Sequence, residues 1–405
     1  MDFRALTHKT LDDVQKAATR VGDTAAKAPA FARSAALRLT KSGRRRLALE
    51  HGALHSQTRT PGLTDLTATG VVHIKTAPVT AEIAAKDDER EASDKPDAVT
   101  TDIPVHWYEV EPESPPSAPC NEPSNAPANE PAKEPVTIVF IHGFTLAGES
   151  WYRQFNALRK SHPEARLLTM DLRGHGQTGA VPASLCTVEG AATDALAVIA
   201  ERAATGKLIV VGHSLGGLIA LHMARAAEES IRCRIAGVVL ISTSIDKLAA
   251  QGVPQILASP VADAARNAIE SSPKEIRKFR EAIAALMAPS LAVAVFARRT
   301  DYEIIEFHAA MINETPLETF VGYLDDLQDH DEFAAGPYLA GLPGAVLVGT
   351  KDDVTPRKQA DLIMEKWPDA ELVEVDGAGH MLPLEAPDAV NRAIERVLEK
   401  VQESS

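Results

Sequence analysis

The sequence predicts a protein of the α/β class, with a mostly parallel central sheet flanked by helices and a helical cap inserted into it. Three observations carry this. Short apolar runs recur at 136–141, 208–211, 237–241, 345–349 and 371–375. Most are rich in β-branched residues and read as strands buried on both faces, as parallel sheets require. An Ala- and Leu-rich segment follows one of them at 215–229 and reads as a helix. Polar residues with catalytic chemistry stand in the loops just after the strands, on the edge where open α/β sheets place their ligands.

The elements follow in order. A first strand is expected near 71–76 and a second at 105–110. Between the second and the run 136–141 lies the segment 111–135, with eight prolines among Ser, Asn, Ala and Glu. It cannot bury enough apolar area to order itself, so it reads as a solvated, extended loop inserted in a β-hairpin of the sheet. Next, Leu208-Ile209-Val210-Val211 runs directly into Gly212-His213-Ser214-Leu215-Gly216, so Ser214 sits on a strand-to-helix turn. Glycines two positions either side remove side chains that would block so sharp a turn, and the hydroxyl is held out to a substrate. The stretch 246–331 is too long for a plain crossover and has helix-like runs at 261–269, 273–287 and 302–312, which is the cap. The strand 345–349 leads into Thr350-Lys351-Asp352-Asp353, and the strand 371–375 into Asp376-Gly377-Ala378-Gly379-His380.

A serine hydroxyl is a poor nucleophile at neutral pH, so an imidazole must take its proton. A carboxylate must then hold that imidazole in the right tautomer and stabilise its cation. Ser214, then Asp352, then His380, each after its own strand, supply these groups in the chain order that hydrolases with this turn use.

With the motifs His142-Gly143-Phe144, Asp171-Leu172-Arg173-Gly174-His175-Gly176, Gly212 to Gly217, Gly349 to Pro356 and Gly377 to His380, the chain resembles the α/β-hydrolase superfamily over about residues 100–400. It is most similar to bacterial esterase- and lipase-like members with a helical cap. The resemblance implies Ser214 as nucleophile, Asp352 as acid and His380 as base. It also implies oxyanion donors in the backbone N–H groups of Phe144 and Leu215, the latter at a helix N-terminus. One departure is Thr178, where many relatives carry Ser. The implied activity is hydrolysis of a small-molecule or lipid carboxylic ester through an acyl-serine, with no cofactor. An acyltransferase using the same triad, a haloperoxidase-like enzyme or a C–C bond hydrolase also fits the resemblance. A catalytically silent binding protein is the rival from outside enzymology.

Alternatives stay open at single positions. Asp353 adjoins Asp352, and Asp246 follows the strand 237–241, where some α/β-hydrolases carry the acid. His142, His175 and His213 read as turn or packing residues. His308 and His330 fall in the cap. Met287, Phe296, Phe307 and Met311 read equally as the lining of an acyl pocket or as the cap's own core. Asp325, Asp326, Asp329 and Asp331 read as a solvated face. No His or Cys cluster has metal-ligand spacing, so no metal site is expected.

Composition fits a non-secreted enzyme. The chain has 405 residues and a net charge of −14, which argues against general nucleic-acid affinity. Three cysteines, Cys120, Cys186 and Cys233, suggest no disulfide framework and point to a cytoplasmic, reducing compartment. Residues 1–46 hold eleven Lys or Arg against four Asp or Glu, a net +7, leaving −21 on the remainder. This basic arm opens a partly helical or unordered extension, 1–69, ahead of the main domain at 70–405. It reads either as a weak membrane-surface contact or as a plain extension. No signal peptide and no spanning helix is expected; the nearest apolar run, 283–297, is broken by Pro289 and Ser290. No pattern encodes an oligomeric state.

Overall fold

A computed structural model describes residues 62–76, 100–113, 134–247 and 295–404. The basic arm, most of the Pro-rich segment, the runs 261–269 and 273–287, and Met287 lie outside the described residues.

Eight strands form one sheet. They are β1 (Ala68–Lys75), β2 (Asp102–Val110), β3 (Thr137–Ile141), β4 (Arg166–Met170), β5 (Leu208–His213), β6 (Ile235–Ile241), β7 (Gly344–Gly349) and β8 (Glu371–Val375). Their spatial order is β1-β2-β4-β3-β5-β6-β7-β8. β2 pairs antiparallel with β1 and with β4, and every other neighbouring pair is parallel. The longer helices are α1 (Tyr152–Ser161), α2 (Val188–Arg202), α3 (Leu215–Ala226), α4 (Tyr302–Glu314), α5 (Leu317–Asp329), α6 (Arg357–Lys366) and α7 (Pro387–Glu403). The α/β class and the mostly parallel sheet are as the sequence predicts.

The expected hairpin between 105–110 and 136–141 is absent, because β4 lies between β2 and β3. After β3 the chain crosses over through α1 and returns parallel to β3, on the side facing β2. Parallel neighbours need such a crossover, and the sequence nearness of β2 and β3 carries no information about it. β4 itself escapes the sequence reading, since Arg166-Leu167-Leu168-Thr169-Met170 holds no Val or Ile. α5 also goes unread.

Alternate residues of the central strands feed two cores. Val139, Ile141, Leu168, Val210, Leu240 and Val346 join residues of α2, α3 and α6 on one face. Ile138, Phe140, Leu167, Val211, Val239 and Leu347 join residues of α1 and α7 on the other. Two-faced burial explains the continuous apolar runs. Each fully buried Val, Leu or Ile contributes about 1.5–3 kcal/mol relative to exposure. Leu63 and Leu66, just ahead of β1, pack on the second core.

A third cluster unites the segment between β6 and β7 with the loops at the sheet's C-terminal edge. Phe296, Ile305, Phe307, Met311 and Ile312 meet Leu146, Met381 and Leu384 there. α5 is tied down by polar contacts as well. Thr319 Oγ1 donates to the Gly174 carbonyl at 2.8 Å, and Tyr323 Oη to that of Arg173 at 3.2 Å. Asp326 is not a plain solvated group, for its Oδ2 accepts the Val188 N–H that opens α2, at 2.8 Å. A carboxylate is well placed at a helix N-terminus. No helix among the described residues is long and apolar enough to cross a membrane.

Candidate active site

Ser214 occupies a strained backbone position, φ 54° and ψ −119°, between β5 and α3. Such a conformation costs on the order of 1–3 kcal/mol for a non-glycine residue and persists only where the surroundings enforce it. Here they do. The Ser214 N–H donates to Ile241 O at 3.0 Å, and the Ser214 carbonyl accepts from Thr243 Oγ1 at 2.6 Å. A side chain on Gly212 would overlap the Gly216 carbonyl, and one on Gly216 would overlap that of Ile141. Both glycines are therefore steric requirements of the turn.

His380 follows β8, and Asp352 follows β7. The structure brings both to Ser214. The Ser214 Oγ and His380 Nε2 lie 3.0 Å apart, with the hydroxyl placed to donate. On the other side of the ring, His380 Nδ1–H faces Asp352 Oδ2 at 3.0 Å and Oδ1 at 3.1 Å. All lie within hydrogen-bond reach for proton transfer. Asp352 is 4% exposed and His380 6% exposed, so the carboxylate acts on the imidazole with little screening by water.

Asp352 has further support. The N–H groups of Val354 and Thr355 both donate to Oδ1 at 2.9 Å. Thr355 Oγ1 donates to Oδ2 at 2.9 Å and lies 3.3 Å from His380 Nδ1. Burial alone would raise the Asp352 carboxyl, but the His380 charge and these hydrogen bonds outweigh it and hold the group below its ordinary value. Thr355 is the residue the sequence reading missed. Its signal is a hydroxyl three positions after a post-strand Asp, the spacing of a local side-chain turn. Asp353 is exposed, and Asp246 turns back onto the Lys247 N–H at 2.7 Å.

Phe144 lies in the loop after β3, and Leu215 opens α3. The Phe144 loop passes beside the serine turn: a methyl on Gly143 would sit 3.2 Å from Ser214 Cβ and 2.8 Å from His213 Nδ1. The loop is braced from behind by buried polar groups. Asp171 accepts from Gly148 N, Gln177 N and Tyr108 Oη, each at 2.8 Å. Burial pushes its carboxyl up to about 6 against those hydrogen bonds. Thr178 Oγ1 donates to the Asp171 carbonyl at 2.7 Å and accepts the His106 N–H at 3.0 Å, so the hydroxyl where relatives carry Ser is in use.

The other histidines of the motifs are internal braces. His142 Nε2 accepts the Leu172 N–H at 3.0 Å, and its Nδ1–H donates to Gly143 O at 2.8 Å. Burial holds it down to about 4. His175 Nε2 accepts the Thr145 N–H at 3.1 Å, and burial holds it well below its ordinary value. His213 Nε2–H donates to the His380 carbonyl at 3.0 Å, and burial, with the neighbouring His380, takes it down to about 3. Phe296, Phe307 and Met311 all fall in the third cluster, and His308 stacks edge-on against Phe296.

One grouping was invisible in the sequence. His222 of α3, His330 and Glu332 come together, with Glu332 Oε1 at 2.7 Å from His222 Nδ1 and 2.8 Å from His330 Nε2. Two ligands of one divalent ion at about 2.1 Å sit more than 3 Å apart, so these are hydrogen-bond separations. Arg225 adds the balancing charge, bonding Glu332 Oε2 at 3.1 Å. The cluster ties the helix behind the serine to the return of the β6–β7 segment.

Residues 138–393 match the sequence model of the alpha/beta hydrolase family. The dihydrolipoyllysine-residue acetyltransferase component of the acetoin cleaving system of Pseudomonas putida is 28% identical over 265 residues, covering 65% of this chain and 63% of that protein. A pimeloyl-[acyl-carrier protein] methyl ester esterase of Pectobacterium carotovorum is 26% identical over 260 residues, covering 64% of this chain and 92% of its own. Among solved structures, a thermophilic esterase from Thermogutta terrifontis superposes with a TM-score of 0.55 at 24% identity, over 74% of this chain and 94% of that one. That likeness speaks to the fold.

Proposed function

This chain belongs to the alpha/beta hydrolase family, and from that premise we propose that it is a serine hydrolase of small-molecule carboxylic esters. The observation that carries the reading is the unbroken line from Asp352 through His380 to the Ser214 Oγ, with separations of 3.0 Å at each step. Ser214 Oγ attacks the ester carbonyl carbon as His380 Nε2 takes the hydroxyl proton. The resulting imidazolium is stabilised by the Asp352 carboxylate on its far side. The Leu215 and Phe144 N–H groups receive the oxyanion; losing one such donor costs about 100- to 1,000-fold in rate. His380 then returns its proton to the leaving alkoxide, and an alcohol departs. Water, deprotonated by the same imidazole, attacks the acyl-serine; the Ser214 Oγ leaves, takes the proton back from His380, and the carboxylic acid is released.

An ester hydrolase also agrees with the character of the esterase relative, whose own substrate stays its own. In the described part of the proposed cap, Phe296, Phe307 and Met311 are buried in the third cluster, packed with Leu146, Met381 and Leu384.

Ser214→Ala tests the reading. The variant is expected to lose nitrophenyl-ester hydrolysis and fluorophosphonate labelling while keeping the wild-type melting temperature. Hydrolysis or labelling at the wild-type level in that variant rejects the assignment.

A further inference from the structure

We propose that Glu385 is a positioning residue for the base, clipping the His380 loop to the segment 295–298 that returns from the β6–β7 insertion. The proposal rests on the role given to His380 above.

The loop 376–381 carries His380 away from β8. Its backbone is held from two sides. On one, His213 Nε2–H donates to the His380 carbonyl at 3.0 Å. On the other, the Val295 carbonyl accepts the N–H groups of His380 at 2.8 Å and Met381 at 3.3 Å. A peptide bond flanking the imidazole is thus fastened to a stretch of chain from the insertion rather than to the sheet.

Glu385 keeps that stretch in place. One carboxylate oxygen, Oε2, accepts the Gly379 N–H at 2.6 Å. The other, Oε1, accepts the Arg298 N–H. One side chain therefore bridges the two backbones directly beside the base. Arg298 closes the clip from its own side, donating from Nη2 and Nε to the Asp376 carbonyl at 2.5 and 3.2 Å. A carboxylate with two N–H donors forms charge-assisted bonds, roughly twice as strong as neutral ones. The contact has no slack. A methyl on Gly379 would stand 2.6 Å from Val295 O and 2.8 Å from Ala297 N.

The consequence is mechanical. The Ser214–His380 separation of 3.0 Å is set by where the 379–381 backbone sits, and that backbone is set by the insertion. Misplacing a reacting group by about 1 Å costs roughly 100-fold in rate. Glu385 does not touch the reacting atoms; it works through His380.

Glu385→Ala, Glu385→Gln and Arg298→Met in the full chain test this. The readouts are the fluorophosphonate labelling rate, kcat and KM for a nitrophenyl ester, amide hydrogen exchange over 376–384, and the melting temperature. For Glu385→Ala, labelling rate and kcat are expected to fall about 10- to 100-fold with KM within about twofold, and Gly379 and His380 amides to exchange faster. Glu385→Gln, which keeps one acceptor oxygen, should fall between Ala and wild type. Arg298→Met removes only the side-chain bonds to the Asp376 carbonyl and leaves those of Glu385 in place, so it reads the guanidinium's own share of the clip; a slower labelling rate is expected. Wild-type labelling rate and kcat in Glu385→Ala, or in Glu385→Gln should the former misfold, overturn the proposal. If the wild-type chain itself neither labels nor hydrolyses any ester, the functional reading falls and this one with it. Accelerated exchange would then still record the clip as a purely structural contact.

Discussion

Thr355 separates two kinds of contribution at Asp352, the acid of the proposed triad. The Val354 and Thr355 N–H groups fix Asp352 Oδ1 through the backbone, and no side-chain replacement removes them. The Thr355 hydroxyl alone fixes Oδ2, the oxygen at 3.0 Å from His380 Nδ1. Thr355→Val keeps the shape and deletes that donor, leaving a buried carboxylate oxygen with one partner fewer. A lost hydrogen bond to a charged group is worth about 1.5–3 kcal/mol. Part of this falls on the reaction, because the imidazolium forms against that oxygen. We expect kcat/KM to drop about tenfold in Thr355→Val by steady-state ester hydrolysis, with Thr355→Ser restored to near wild type. Equal kcat/KM in Val and wild type would mean that the backbone donors suffice.

At the scale of elements, the loop 171–178 is fastened to α2 by a buried ion pair. Arg173 Nε and Nη2 meet Asp194 Oδ2 and Oδ1 at 2.7 and 2.6 Å, and Nη1 donates to Leu185 O at 2.9 Å. Breaking such a pair from one side leaves an uncompensated charge, whereas replacing both partners by apolar groups is often close to neutral. Arg173→Met is therefore expected to destabilise the fold by about 3–5 kcal/mol in urea unfolding, and the double variant with Asp194→Leu by clearly less. A double variant at least as unstable as the single one contradicts this account. The Arg173 motif is legible in the sequence, but its partner is not, since Asp194 sits unremarkably within a helix. The same limit runs through the chain. Strands with continuous Val and Ile, such as β5 and β6, declare themselves through two-faced burial. β4, with Leu and Met in their place, does not. The elbow at Ser214 is local, so its glycines and its strand-turn-helix frame can be read directly. Clusters such as His222 with Glu332, 110 positions apart, and Glu385 with the 295–298 segment, exist only once the chain has folded.

For the molecule as a whole, the buried histidines set how it meets acid. His142 is held down to about 4 and His213 to about 3, and His175 well below its ordinary value, in each case chiefly by burial. In the unfolded chain these imidazoles bind protons as pH falls through about 6.5, while in the native state they stay neutral. Over that window the unfolded state binds more protons, so stability is present above about 6.5 and is lost as pH falls towards 4. Asp171 acts in the opposite sense. Its native carboxyl, pushed up to about 6, takes a proton before the unfolded one does at 3.8, so acid favours the native state there. The raised carboxyls of Asp171 and Asp194 offset part of the loss from the three imidazoles. Asp352, held low, adds its own loss only below its unfolded value of 3.8. With three imidazoles held down against two carboxyls held up, the balance is a net loss of stability between about pH 6.5 and 4. Urea unfolding at half-unit steps of pH should show the midpoint falling steadily across that range. Replacing His142 by Gln, which retains an acceptor and a donor but cannot charge, should flatten the slope by about one proton. A midpoint independent of pH between 6.5 and 4 would mean that these imidazoles gain their protons without unfolding the loops that bury them.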